Sequence, residues 1–136
     1  MFQNDMNLIV GRTLESVTDS GEEMTFVCTD VSAFSAYHSQ DCCESVRIYD
    51  VSGDPKPLLG SPITEATEDV LTDWPEGVPK SQYIESFTWT IHTFRTATAT
   101  VTVRWLGTSS GYDSESVYFN CTHKPIALKE EVDPGL

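Results

Sequence analysis

The sequence predicts a mostly β (or α+β) single domain, an antiparallel sheet or curved meander with one short helix. From residue 97 to residue 105 every odd position is Ala, Val or Trp, and the even positions are Thr or Arg. This alternation is the period of a strand with one buried face. Serine and threonine together make up 30 of the 136 residues, and both weaken helix interiors while suiting strands and turns. The length fits one domain that buries roughly two-thirds of its unfolded surface.

The first half of the chain predicts four strands. Residues 12–18 and 24–29 alternate on either side of the turn cluster Asp-Ser-Gly-Glu at 19–22, which favours a hairpin. Residues 33–38 form a third strand. Residues 45–51 form a fourth, with Val and Ile at 46 and 48 inward, and Arg and Tyr at 47 and 49 outward. Between these two strands, residues 41–45 suit a helical turn capped by Asp41.

The second half predicts the short helix and the longest hairpin. Residues 54–60 begin with Asp and Pro and end with Gly, the signature of a one- or two-turn helix. A strand at 63–71 and a proline-containing loop at 74–82 follow. The strands 83–94 and 97–105 are joined by a short link, so we expect them to pair as an antiparallel hairpin. A last strand at 115–121 completes the domain at residues 1–122, and residues 123–136 are predicted to be a flexible tail.

The net charge of −13 and the pI near 4.3 exclude some partners. A generic nucleic-acid binder needs a basic footprint, and an anionic membrane repels an acidic protein. The charge is densest at residues 61–76, which contain five carboxylates and no basic residue. This segment predicts either a solvated edge that prevents aggregation or an acidic contact surface, such as a decoy for a basic groove. The carboxylates are Glu65, Glu68, Asp69, Asp73 and Glu76.

The predicted compartment determines the oxidation state that we expect for the cysteines. The first ten residues lack the apolar core of a signal peptide, and no stretch has the roughly 18 apolar residues of a membrane span. The chain is therefore predicted to be cytosolic, where Cys28, Cys42, Cys43 and Cys121 should be thiols.

The densest polar cluster lies between the third and fourth strands and is the first candidate binding loop. It contains an imidazole, an amide, two thiols and two carboxylates: His38, Gln40, Asp41, Cys42, Cys43 and Glu44. One interpretation is a recognition loop on a rigid scaffold. A second is a cysteine nucleophile with His38 as its base. A third is tetrahedral zinc held by His38, Cys42, Cys121 and His123. The fourth is purely structural, with buried thiols and a strand-end histidine.

A glycine-flanked polar loop is the second candidate. A small ligand would lie against its hydroxyls and backbone amides, unless the segment is an ordinary β-connection. No phosphate-binding glycine motif accompanies the loop. The candidate residues are Trp105, Gly107, Ser109, Gly111, Tyr112 and Glu115.

Five motifs together resemble a family of small uncharacterised proteins common in bacteriophages and prophages, particularly those of actinobacteria. They are H-S-Q-D-C-C-E at 38–44, G-S-P-I at 60–63, T-W-T at 88–90, R-W-L-G at 104–107 and G-Y-D-S-E at 111–115. The chain departs from that family at 91–92, where the family has aromatic residues, and at Leu106 and Asp113, where it has tyrosine. The resemblance implies a viral origin and brings no established activity.

The predicted function is therefore binding rather than catalysis. We expect a bacteriophage accessory protein without a cofactor that binds a host or phage protein in the host cytoplasm and modulates or inhibits a host factor, such as a defence system. It is not expected to contact nucleic acid or membrane directly, and both a monomer and an oligomer are compatible with the sequence. Either the acidic segment or the 38–44 loop would be its contact surface. One alternative is a pocket that sequesters a small nucleotide-like ligand between the loop at 107–115 and His38. The others are a cysteine/histidine-dependent enzyme or metal-binding protein, and a minor virion component. An anionic ligand would need Arg47, Arg95 or Arg104 nearby.

Overall fold

A computed structural model describes residues 4–123, which form eight strands, a single helical turn and a 3-10 turn. The mostly β fold class is thus confirmed. The residues of the predicted tail from position 124 onward lie outside the described residues, whereas His123, assigned to that tail, ends the last strand. In chain order the elements are α1 (Met6–Ile9), β1 (Leu14–Asp19), β2 (Glu23–Cys28), β3 (Ala33–Tyr37), β4 (Ser45–Ser52), the 3-10 turn (Lys56–Leu58), β5 (Glu65–Leu71), β6 (Ser86–Arg95), β7 (Thr100–Ser109) and β8 (Tyr118–His123).

The strands form two four-stranded antiparallel sheets. The first has the order β1-β2-β3-β8 and the second the order β4-β7-β6-β5. The predicted hairpins β1–β2 and β6–β7 are both present. The last strand returns to the first sheet and pairs with β3, which local sequence does not indicate. In the described part of the chain, no helix is long and apolar enough to cross a membrane.

The core lies between the two sheets and is built around aromatic rings. Phe26 and Phe119 come from the first sheet, and their ring centroids lie 4.9 and 6.0 Å from that of Phe94 in the second. On β7 the alternating residues Val101, Val103 and Trp105 are all buried there. The alternation at 97–105 therefore identified the inner face of this strand correctly.

The inner face of β6 is its more polar one. Thr90 and His92 are buried, and the His92 ring lies about 6 Å from the rings of Phe94, Trp105 and Phe119. The other face of β6 carries Trp89, which is nevertheless fully buried. Its cover is the loop before β6, which folds over the outer face of the second sheet.

Candidate functional site

The two predicted loops meet at one end of the sandwich. A cleft of about 460 Å³ is lined by Cys42 and Cys43 from the first loop and by Ser109 and Ser110 from the second, with Tyr83 beside them. We call the surface formed by residues 38–45, 83–85 and 108–116 the loop end. Antiparallel pairing places these segments together, because Ser45 opposes Thr108 and Thr108 opposes Phe87.

A buried hydrogen bond between His38 and Glu44 organises the first loop. The side chain of Glu44 is fully buried, and its Oε2 lies 2.7 Å from Nε2 of His38. The other ring nitrogen, Nδ1, donates to the backbone carbonyl of Ser116 at 2.6 Å, which ties the first loop to the end of the second. Both nitrogens of His38 are therefore occupied, so the ring positions the loop rather than facing solvent.

Glu44 also accepts backbone hydrogen bonds. Its Oε2 accepts the N–H of Asp41 at 2.8 Å, and its Oε1 accepts the N–H of Cys42 at 3.1 Å. The hydrogen bond from His38, followed by that from the Asp41 amide, lowers the pKa of Glu44 to about 2. The helical turn expected at 41–45 is absent, because the carboxylate of Glu44 reaches back to these amides instead of Asp41 capping a helix.

The expectation of four thiols is wrong for two cysteines. Cys42 and Cys43 form a disulfide between neighbouring residues, whereas Cys28 and Cys121 are free. The expectation rested on the predicted compartment, but the tight loop around Glu44 brings both sulfurs to the same side. Cys28 is buried, and this burial raises the pKa of its thiol.

The second loop is held by Glu115, which is buried. Its two oxygens accept hydrogen bonds from the hydroxyls of Thr88 at 2.7 Å and Ser109 at 2.5 Å. A Cβ atom at Gly107 would lie 2.8 Å from both the Cβ and the backbone oxygen of Glu115. The glycine of the R-W-L-G motif and the glutamate of the G-Y-D-S-E motif are thus packing partners.

We expect Gly107→Ala to lower the free energy of unfolding by about 1–3 kcal/mol, the usual cost of overpacking. The contact at 2.8 Å includes backbone of Glu115, which cannot rotate away as a side chain can. Chemical denaturation measures the loss, with the exposed neighbour Ser110→Ala as the control that should change little. Equal stabilities of the two variants would contradict this packing.

The other members of the second loop lie in different surroundings. Trp105 is fully buried in the core, so it does not line the loop, whereas Gly111 and Tyr112 are exposed. The amide of Gly111 donates to the hydroxyl of Ser109 at 3.0 Å. Gln40 of the first loop closes its own turn by donating to the backbone oxygen of Glu44.

The four residues considered for zinc are not brought together. The register of β3 and β8 places Tyr37 opposite Tyr118, beside His38, but Ala33 opposite His123 at the far end of both strands. Cys121 lies towards that far end as well. A different set is close together: the Sγ atoms of Cys42 and Cys43 and a carboxylate oxygen of Asp113 lie within 4.8 Å of one another.

The pocket expected between His38 and the second loop is divided into two clefts. His38 lines a separate cleft of about 700 Å³ together with Tyr37, Gln40 and Arg47. Of the three arginines considered, Arg47 is the one that lines this cleft, since Arg95 pairs with Glu65 and Arg104 with Asp50. Three carboxylates, Glu22, Glu23 and Glu44, line it too.

The acidic segment forms an edge strand, but not a row of free carboxylates. Glu68 of β5 turns inward, where its oxygens contact Nε2 of His92 at 2.9 Å and Nδ2 of Asn4 at 2.7 Å. Glu65 lies 3.0 Å from Nε of Arg95 on the neighbouring strand. Asp69 is exposed on β5, and Asp73 and Glu76 are exposed in the loop that follows.

A group of side chains on the outer face of the second sheet was missed by sequence reasoning. Trp74 packs against Trp89 at 5.1 Å between ring centroids, and Tyr49 packs against it at 5.0 Å. The guanidinium of Arg104 lies 5.5 Å from the Trp89 ring and makes two hydrogen bonds to Asp50, which hold the pKa of that carboxyl below its usual range. The feature of the sequence that could have indicated this group is a tryptophan, Trp74, inside a proline-containing loop.

Comparison with known proteins gives a family. Residues 7–119 match a domain of unknown function, DUF7448. No curated protein matches the chain, and no solved structure does. The match spans all five motifs and every strand up to the start of β8. The chain therefore belongs to the DUF7448 family.

Proposed function

We propose that the protein is a non-enzymatic binding protein of bacteriophage origin that contacts a host or phage protein in the host cytoplasm through its loop end. The phage origin rests on the motif resemblance. The choice of surface rests on one observation: two nearly fully exposed tyrosines belong to this end, Tyr83 with 82% and Tyr112 with 94% of its surface accessible.

Tyrosine is a favoured contact residue because its rigid ring buries a large area at low entropic cost. Tyr83 lines the cleft beside the Cys42–Cys43 disulfide, and Tyr112 lies two residues after Ser110 in a loop of Ser, Gly, Tyr and Asp. A polar loop of this composition on a β-sandwich is a common design for recognition.

The buried groups of the loop end support binding over catalysis. His38, Glu44 and Glu115 direct their polar atoms to partners within the protein. A general base must reach a substrate proton, and both nitrogens of His38 are engaged. These groups give the surface a fixed shape, which lowers the entropic cost of association.

The charge of the loop end indicates the kind of partner. Asp41 and Glu85 are exposed and Asp113 is half-exposed, so the surface around the tyrosines is acidic. Complementary fields favour a partner that presents basic residues and steer its approach. The second sheet has β4 at one edge and β5 at the other. The β5 edge is also acidic, and it provides a matched control surface.

The experiment compares two double variants of the immobilised protein in affinity capture from an actinobacterial host lysate and from an infected culture. We expect Tyr83→Ser/Tyr112→Ser to lose the proteins that the wild type retains, because Tyr83 and Tyr112 are the large hydrophobic side chains that the loop end exposes. Glu65→Lys/Asp69→Lys should retain them. Quantitative mass spectrometry of the eluates measures the ratio, with at least about a tenfold loss expected for a pair of interface tyrosines.

Retention of the same proteins by the tyrosine variant would overturn the assignment of the surface. Loss in the lysine variant alone would move the contact to β5. Both variants change exposed residues, and the lysine variant removes one surface ion pair, Glu65–Arg95, so each should unfold within about 1 kcal/mol of the wild type, which excludes misfolding as the cause.

A small-ligand function has one observation in its favour. The 700 Å³ cleft has the size of a small-molecule site, and Arg47 and Tyr37 supply a cation and a hydroxyl. A nucleotide-like ligand held there should co-purify with the protein and be visible by native mass spectrometry, and Arg47→Ala should abolish it. A mass equal to that of the bare chain would count against this alternative.

A further inference from the structure

Three side chains at the loop end combine soft and hard metal ligands. The sulfurs of Cys42 and Cys43 and a carboxylate oxygen of Asp113 lie within 4.8 Å of one another. Both cysteines are exposed and Asp113 is half-buried. We propose that the reduced Cys42–Cys43 pair and Asp113 bind one thiophilic divalent cation, such as Zn²⁺ or Cd²⁺.

Both loops that carry these ligands are held by hydrogen bonds. The amide of Cys42 donates to Oε1 of Glu44, whose other oxygen contacts His38. In the second loop the amide of Gly111 donates to Ser109, and the amide of Ser116 donates to the hydroxyl of Ser114 at 3.2 Å. In the disulfide form these loops therefore hold the two sulfurs and the Asp113 carboxylate beside one another, which limits the ordering that binding requires once the S–S bond is broken.

The site exists only in the reduced protein. A dithiol reductant of the cytosolic type transfers two electrons and two protons, which breaks the S–S bond, leaves two thiols on the protein and converts the reductant to its own disulfide. A divalent cation then displaces the two thiol protons and forms two metal–sulfur bonds. Asp113 supplies an oxygen ligand, and water completes the four positions that zinc prefers.

The geometry and the ligand types favour a thiophilic cation. With zinc–sulfur bonds of about 2.3 Å, two tetrahedral sulfur ligands lie about 3.8 Å apart. Neighbouring cysteines whose sulfurs already meet reach this separation by rotation about their Cα–Cβ bonds. Two thiolates select zinc or cadmium over magnesium or calcium, which prefer oxygen ligands.

The test titrates the full chain with Cd²⁺ after reduction by a phosphine, following the ultraviolet thiolate-to-cadmium absorption band, and repeats it with Zn²⁺ by calorimetry. We expect one cation per chain for the reduced wild type and none for the disulfide form. Cys42→Ser/Cys43→Ser should lose the band. Asp113→Asn should weaken cation binding by about tenfold or more, which is the usual loss of metal affinity when a group that supports a metal site is replaced.

Cys121→Ser is the matched control and should bind as the wild type does, because this half-buried thiol lies at the far end of β8. The absence of a band in the reduced wild type, or an unchanged band in Cys42→Ser/Cys43→Ser, would overturn the site. Tyr83→Ser/Tyr112→Ser should still bind cadmium, so the failure of this proposal and the failure of the proposed function are distinguishable.

Discussion

Replacement of Trp89 by alanine is expected to lower the free energy of unfolding by about 3–5 kcal/mol, the range for deleting a buried aromatic side chain from a core. This is a large effect for a residue on the outer face of a sheet, where polar side chains are the rule in antiparallel structures. The reason is that Trp89 is fully buried. Its indole contacts the rings of Trp74 and Tyr49 and the guanidinium of Arg104.

Urea denaturation of Trp89→Ala measures this loss, and Ile91→Ala is the matched control. Ile91 lies on the same face of β6, two residues away, but is only half-buried, so its truncation should cost clearly less. If Trp89→Ala costs no more than an ordinary surface change, roughly 0.5 kcal/mol, then the 74–82 loop does not cover this face in solution.

The second large effect concerns pH and the carboxylate of Glu44. Its pKa falls from an ordinary 4.5 to about 2 in the folded protein, chiefly through the hydrogen bond from His38. A carboxyl whose pKa is lowered by folding stabilises the native state above its unfolded pKa, and that contribution is lost as the pH falls toward the folded pKa. The stability contributed by Glu44 should therefore be complete above about pH 5 and disappear toward about pH 2.

The variant Glu44→Gln isolates this contribution. The glutamine side chain has one oxygen and one NH2 group, so it cannot accept hydrogen bonds at both positions that the two oxygens of Glu44 occupy. The variant should therefore be less stable than the wild type at neutral pH. The difference between their unfolding free energies should shrink between about pH 5 and about pH 2. Asp30 and Asp50 also have lowered pKa values, but they are present in both proteins and cancel in this difference.

Glu15→Gln is the control for the same chemical change at an exposed position of β1. Its stability should follow that of the wild type at every pH. A constant gap between Glu44→Gln and the wild type down to pH 2 would show that the carboxylate of Glu44 does not carry the pairing described above.

Local pattern predicted most strand positions. The expected strand 45–51 corresponds to β4 (Ser45–Ser52) with the inward and outward residues as expected, and 33–38 corresponds to β3 (Ala33–Tyr37). The expected strand 97–105 was placed too early, since β7 spans Thr100–Ser109. The link before it is longer than two residues, because the amide of Thr96 bonds to the carbonyl of Ala99 at 2.9 Å and closes a turn.

The candidate loops were identified from composition, but their chemistry was not. His38 and Glu44 are six residues apart, a spacing that fits many arrangements, and only the fold shows that they form a buried pair. Glu68 reads as one of five acidic surface residues, yet it turns inward to His92. The alternation of residues along β5 does not reveal that Glu68 turns inward, because its partner, His92, lies on another strand.

The sequence by itself determined the fold class, the strands and the two loops that carry the motifs, because these depend on periodicities and turn residues within a few positions. Only the tertiary structure decided that β8 joins β3, that the two loops meet at one end, and that Cys42, Cys43 and Asp113 come together. These contacts join residues up to 90 positions apart, as between Ala33 and His123. The pairing order of the strands sets them, and no local pattern contains that order.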